Sequence, residues 1–370
     1  MAGRADDPAP APRRLIGVPE LLSSAMSGLA STVDLAFHRT VLSRPPPRGT
    51  VDGLGPRDRI AAMRKLEREL AIDEHVADPD GFFPEVSSFS PEITSVRAPR
   101  GTVGEDWRWP SNIPLHFEAH ADRWARHPRN HTAFARFVSV AGKPSGRPAV
   151  LLLHGYLAGN PSFEARVWPT RWLLDRGFDV VFPSLPFHGP RRRDGKPPPF
   201  PASDPRFTID GFRQSMTDLR GLVRHLRERG APAVGAMGMS LGGYNTALLA
   251  TVEPLDFVVP FIPLASIADF AREGGRFNGT YSQRQSQYRL FERIYSVVSP
   301  LSRQPKVAPS ARLVVGARRD RITPLSHAER LAAHFDAPLS VFEGAHLLQV
   351  GRESSFREVA RMLGRLNLLA

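Results

Sequence analysis

The pentapeptide Gly238-Met239-Ser240-Leu241-Gly242 constrains this chain more than any other stretch of it. It lies between Ala233 to Met239, an apolar run of strand length, and Tyr244 to Ala250, a run that reads as helix. A serine hydroxyl is a weak nucleophile and works only where a base can reach it. A tight strand-to-helix turn projects such a side chain above the edge of a sheet, and small residues on either side let the turn close. The helix that follows points its first N–H groups at any anion forming there.

Residues 131–370 supply the sheet that this turn needs. Strands are expected over Thr132 to Val140, Ala149 to Leu153, Asp179 to Phe182, Leu255 to Ile262, Arg312 to Gly316 and Leu339 to Phe342. Trp168 to Arg176 reads as helix. Phe212, Met216, Leu219, Val223 and Leu226 recur as one helical face, as do Phe356, Val359, Ala360, Leu363 and Leu366 at the C-terminus. Strands alternating with helices predict an α/β fold with a mostly parallel central sheet and helices on both faces. Residues 1–130 carry few chemical motifs and read as a helical or irregular N-terminal extension that packs on the core or covers its pocket. Within it an amphipathic helix is expected over Pro19 to Leu42, a break at Pro45-Pro46-Pro47, a helix over Arg59 to Leu70, and turn-rich chain over Gly81 to Pro114.

Here the sequence resembles the α/β-hydrolase fold superfamily, over about Thr132 to Ala370. The resemblance implies the chain order nucleophile, acid, histidine. Ser240 is the nucleophile in that order. Asp320 follows the strand Arg312 to Gly316 in the segment Arg318-Arg319-Asp320-Arg321-Ile322-Thr323-Pro324 and matches the acid, with Asp269 in reserve. His346, in Phe342-Glu343-Gly344-Ala345-His346, matches the histidine. His154-Gly155-Tyr156 is similar to the family's oxyanion segment. The resemblance therefore assigns the oxyanion donors to the backbone N–H groups of Tyr156 and Leu241. Met239, Phe187, His188 and His154 are the candidate residues around a bound substrate, with His154 also expected to hold its loop in place. An aspartate-nucleophile branch of the superfamily is excluded by the serine.

The implied activity is cleavage of a carboxylic ester, hydrophobic or lipid-like, through an acyl-enzyme; thioesterase, peptidase, acyltransferase and catalytically silent binding protein are the alternatives. The Pro186-Phe187-His188-Gly189-Pro190-Arg191 loop and the long extension are also similar to the α/β-hydrolase domain-containing proteins tied to lipid deacylation. No metal or other cofactor is expected, since neither HExxH nor GxxxxGK[ST] occurs. The absence of cysteine excludes disulfides and thiolate chemistry.

Charge bears on the partner. The formal net charge is +12, of which residues 1–150 carry +2 and residues 151–370 carry +10. Two segments concentrate it, 191–206 with +3 and 266–306 with +4. The second lies where this superfamily inserts a lid. Both are expected at the pocket mouth, where Arg191, Arg192 and Arg193 would either steer an anionic substrate or an anionic membrane surface or form a solvated face that reflects the Arg-rich composition. No nucleic-acid partner is expected, because no recognition motif accompanies the charge. The expected compartment is the cytoplasm, with peripheral membrane contact. A twin-arginine export reading of Arg13-Arg14 is the alternative.

Overall fold

The computed structural model describes residue 34 and residues 53–84, 89–142 and 146–370. The expected helix over Pro19 to Leu42 lies outside these residues except for Asp34, and so do Arg13-Arg14 and Pro45-Pro46-Pro47 entirely.

A nine-stranded sheet organises the chain: β1 (Glu92–Val96), β2 (Thr102–Pro110), β3 (Thr132–Val140), β4 (Ala149–Leu153), β5 (Asp179–Pro183), β6 (Val234–Met239), β7 (Val258–Phe261), β8 (Val314–Ala317) and β9 (Leu339–Phe342). Their order across the sheet is β1-β2-β3-β5-β4-β6-β7-β8-β9. The six strands from β4 onward run parallel, and β1, β2 and β3 extend the β5 edge antiparallel. Every residue of β4 is buried. Because successive side chains point to opposite faces, that burial means both faces of the centre are covered. The strand order reverses around β4, so the crevice beyond the C-terminal ends of β4 and β6 is where such a sheet takes a ligand.

Two differences from the sequence reading have clear causes. The stretch expected to be irregular contributes β1 and β2. Its strand signal is masked by the charges of Glu105-Asp106-Trp107-Arg108-Trp109, yet the register places Asp106 opposite Arg136 of β3. The Arg136 guanidinium donates to both Asp106 carboxylate oxygens, at 2.6 and 3.0 Å, so the charges are satisfied across the ladder. The helix expected over Trp168 to Arg176 is present but shorter. A helix ends at Val167, Pro169 intervenes, and a second runs from Thr170 to Asp175.

The helix Pro205–Glu228 carries the expected apolar face, with Phe212, Met216, Leu219, Val223 and Leu226 all buried. It also buries Asp210, Arg213, Gln214 and Asp218, because the chain around Ser111 and Asn130 packs along its polar side. Arg191 lies at the centre of that contact. It donates to Asp218 at 2.7 Å, to Ser111 Oγ at 3.0 Å, and to the carbonyls of Ser184 and Asn130. Ser111 Oγ in turn donates to the other Asp218 oxygen at 2.7 Å.

Residues 56–69 form a helix that packs on the helix Tyr281–Tyr295 of the insertion between β7 and β8. Arg59, almost fully buried, donates to the Arg276 carbonyl at 2.6 Å and lies over the rings of Phe277 and Phe291. The N-terminal region thus braces the insertion. Among the described residues, no helix is long and apolar enough to cross a membrane.

Truncating Arg191 would strand the Asp218 carboxylate in the interior. Arg191→Ala is expected to lower the unfolding free energy by ~3–5 kcal/mol. Exposed Arg193 should tolerate the same change within ~0.5 kcal/mol. Urea denaturation reads both, and equal midpoints for the two variants would refute a structural role for Arg191.

Candidate active site

β6 ends at Met239 and a helix begins at Leu241, leaving Ser240 alone to make the turn. It does so at φ 57° and ψ −114°, a conformation that is strained for any residue with a Cβ. The surroundings hold it there. Its N–H donates to the Phe261 carbonyl of β7, and its carbonyl accepts from Tyr244 and Leu264. A Cβ on Gly238 would lie 2.3 Å from the Gly242 carbonyl oxygen, and one on Gly242 would lie 2.3 Å from that of Leu153. Both positions therefore need glycine. Leu241 is the first residue of the helix, so its N–H has no intrahelical acceptor and is directed at the turn.

His346 stands in the loop after β9 and shares a cavity wall with Ser240. Its Nδ1 lies 2.7 Å from Asp320 Oδ2. Asp320 is buried, and its other oxygen accepts from the N–H groups of Ile322 and Thr323, both at 2.8 Å. A carboxylate so held keeps the histidine proton on Nδ1 and leaves Nε2 as the base. Burial alone would lower the affinity of His346 for a proton. The charge and hydrogen bond of Asp320, together with the charge of Asp34, outweigh it and raise the pKa above its ordinary value. Thr323 Oγ1 completes the contact, 3.1 Å from both Asp320 Oδ2 and His346 Nδ1. Asp269, the reserve acid, is engaged elsewhere with Arg272, Tyr288 and Arg330.

The turn after β4 brings Gly155 against the nucleophile, where a Cβ would lie 3.5 Å from Ser240 Cβ. His154 is buried and its pKa falls to about 4, chiefly through burial, so it is neutral. Nε2 accepts from the Leu185 N–H at 3.0 Å, which leaves the proton on Nδ1 to donate to the Gly155 carbonyl at 2.8 Å. That carbonyl belongs to the same peptide unit as the Tyr156 N–H, and in a trans peptide the two point in opposite directions. His154 therefore sets the direction of the candidate oxyanion donor without touching the cavity.

The cavity itself is about 420 Å³. Gly155, Tyr156, Met239, Ser240, Leu241 and His346 line it. The insertion contributes Ile267, Phe270, Ala271, Phe291 and Tyr295, so it stands where a lid would and gives the cavity an apolar wall. Phe187 and His188 do not reach this cavity. Phe187 is buried among Trp124, Phe207 and His127, because the positive φ at that residue turns its ring into the core. His188 packs behind the oxyanion loop against His154 and Tyr156.

Of the two basic segments, little reaches the cavity wall itself. Arg191 points into the interior, and the 191–206 segment meets the cavity through Pro201, Ala202 and Ser203. In the insertion, Arg272 pairs with Asp269 and Arg293 with Asp73, Arg284 and Arg289 are exposed, and Arg276 is the basic residue on the cavity wall among those described. Among the described residues no group of three or more His, Asp or Glu side chains is placed to hold a metal ion. Thr323 and Asp34 were not singled out from the sequence. Thr323 lies three residues after Asp320, at the spacing of an aspartate that caps its own loop, whereas Asp34 has no sequence signal at all.

Comparison with known proteins agrees with this architecture. A model of the alpha/beta hydrolase family matches residues 150–362. Uncharacterized proteins from two strains of Mycobacterium tuberculosis are each 29% identical over 237 residues, 62% of this chain. The matched region is 56% of their length, so this chain spans a little over half of each. Among solved structures, acetyl xylan esterase from Paenibacillus sp. R4 superposes with a TM-score of 0.53 at 16% identity, covering 82% of this chain and 94% of its own. Acetyl xylan esterase 1 from Thermoanaerobacterium sp. JW/SL YS485 gives 0.52 at 16% identity, with 82% and 98% covered. Both share the fold. The chain belongs to the α/β hydrolase family.

Proposed function

We propose that this protein is a serine hydrolase that cleaves carboxylic esters with a hydrophobic acyl group. The observation that carries this reading is the meeting of strained Ser240 and Asp320-bound His346 on the wall of one largely apolar cavity. His346 Nε2 takes the Ser240 proton as Oγ attacks the ester carbonyl, and Asp320 stabilises the imidazolium. The negative charge that develops on the carbonyl oxygen falls to the N–H groups of Leu241 and Tyr156, each worth on the order of 3 kcal/mol in such a site. His346 then returns the proton to the leaving alcohol, and water attacks the acyl-enzyme by the same route in reverse. The apolar lining from the insertion favours an acyl chain over a charged or sugar-like group in that half of the cavity. The esterase names of the two structural neighbours fit ester chemistry.

A fluorophosphonate probe should label Ser240, located by mass spectrometry, and Ser240→Ala should abolish labelling and lower kcat by at least ~10⁴-fold. Folded wild-type protein that neither reacts with a small probe nor hydrolyses p-nitrophenyl esters would refute the reading.

The pH profile gives a second test. The base must be neutral, and its raised pKa moves the acid-side loss of kcat/KM to a pH above the ordinary histidine value of 6.5. Asp320→Asn should move that limb downward and cost roughly 10⁴-fold in kcat, whereas Asp269→Asn should leave the limb in place. A larger limb shift in the Asp269 variant would reassign the acid.

A further inference from the structure

Asp34 is helical, belongs to none of the strands and is fully buried, and its carboxylate is turned to the loops that carry the candidate triad. Oδ2 accepts from the His346 N–H at 2.7 Å and from the Arg321 N–H at 3.3 Å, and Oδ1 accepts from the Leu347 N–H at 2.9 Å. The first and third of these bonds hold the histidine's own loop. The second holds the residue next to Asp320. One carboxylate thus ties together two loops whose relative position sets the 2.7 Å contact between His346 and Asp320.

Other bonds also hold the histidine loop, among them Arg319 N–H to the Gly344 carbonyl and Val350 N–H to the Leu348 carbonyl, but they do not reach the amides beside the imidazole. Between β9 and the helix Glu353–Arg365, the chain makes a short turn in which Ala345 donates to the Leu348 carbonyl and Gln349 to the His346 carbonyl. Neither bond engages the amides of His346 or Leu347. A buried amide left without an acceptor costs roughly 1–3 kcal/mol, so the N–H of buried His346 needs a partner where it stands, while the bond from more exposed Leu347 adds a second point of hold. A neutral acceptor would satisfy both. A carboxylate does so more strongly and also places a second negative charge beside the imidazole.

We propose that Asp34 is a positioning residue for the hydrolytic reaction: it clamps the His346 and Asp320 loops in register and adds its charge to the stabilisation of the imidazolium. This rests on His346 acting as the base. The charged groups facing the imidazole are Asp320 from the loop after β8 and Asp34 from the N-terminal stretch, and both favour its protonated form. Asp34 itself is pushed toward protonation by burial and by Asp320, while the His346 and Leu347 amides pull it back. Burial leads, so the Asp34 pKa stands above its ordinary value, and the amide bonds that orient the loop oppose that rise.

Full-length Asp34→Asn and Asp34→Ala test this with two independent readouts. In hydrogen exchange followed by mass spectrometry, the peptide spanning 344–350 should exchange at least ~10-fold faster in Asp34→Ala than in wild type. With a soluble p-nitrophenyl ester, kcat should fall ~10–100-fold in Asp34→Ala, as expected for a base displaced by a fraction of its contact distance. KM should stay within ~2-fold, since the residue touches no substrate. Asp34→Asn keeps one acceptor oxygen and should lose less, but both variants should move the acid limb of kcat/KM to lower pH because both remove the charge. If Asp34→Ala does not fold, Asp34→Asn, of equal size, carries the same comparison. Unchanged exchange at 344–350, or a limb that stays in place in both variants, would overturn the proposal. The exchange arm needs no substrate, so an inactive and unlabelled wild type would refute the hydrolase reading while the clamp was still decided.

Discussion

The close approach of the helix Leu241–Val252 to the ends of β4 and β6 is the constraint on which the site depends. At Gly238 and Gly242 the facing atoms are backbone carbonyls about 2.3 Å from where a Cβ would stand, and backbone cannot move aside as a flexible side chain can. The chain therefore turns within a single residue, and that residue takes a φ that the hydrogen bonds of Phe261, Tyr244 and Leu264 make tolerable. The strain is local and the restraints come from β7 and the loop after it. A half-buried, fixed serine above the edge of an open sheet is the result.

Around that point the electrostatics are arranged by burial as much as by charge. His154 and His346 are both buried histidines, yet their pKa values shift in opposite directions. Nothing anionic faces His154, so burial wins and it stays neutral, free to orient the Gly155 peptide. His346 faces Asp320 and Asp34, which together overcome the same penalty and favour its charged form. One ring sets the direction of the Gly155 peptide and the other is held by Asp320 with its affinity for a proton raised.

The excess positive charge of the chain has a different use from the one its distribution suggests. Arg191, Arg272 and Arg293 are consumed by partners within the fold, and Arg59 braces the insertion from the N-terminal region. Guanidinium groups suit this work because a planar fork can satisfy several carbonyls and a carboxylate at once. A count of charge along the sequence cannot distinguish an arginine that meets solvent from one that fills a polar interior. To the cavity wall the insertion contributes a mainly apolar surface together with Arg276.

The residues of local consequence were legible in the sequence. The strand, the glycine-flanked serine and the helix after it form a continuous pattern, and so do Asp320 and His346 at the ends of their strands, because each depends on period, propensity and turn chemistry within a few residues. What depends on partners far along the chain was not. β2 looks too charged for a strand until Asp106 meets Arg136, and Phe187 and His188 could be assigned to the cavity until the turn at Phe187 took them into the core. Asp34 is the extreme case, three hundred residues from the loop it holds. Sequence alone determined which groups this chain has for chemistry and on which elements they sit. Only the tertiary structure decided which of them meet, because hydrogen bonds and burial between remote segments leave no periodicity to read.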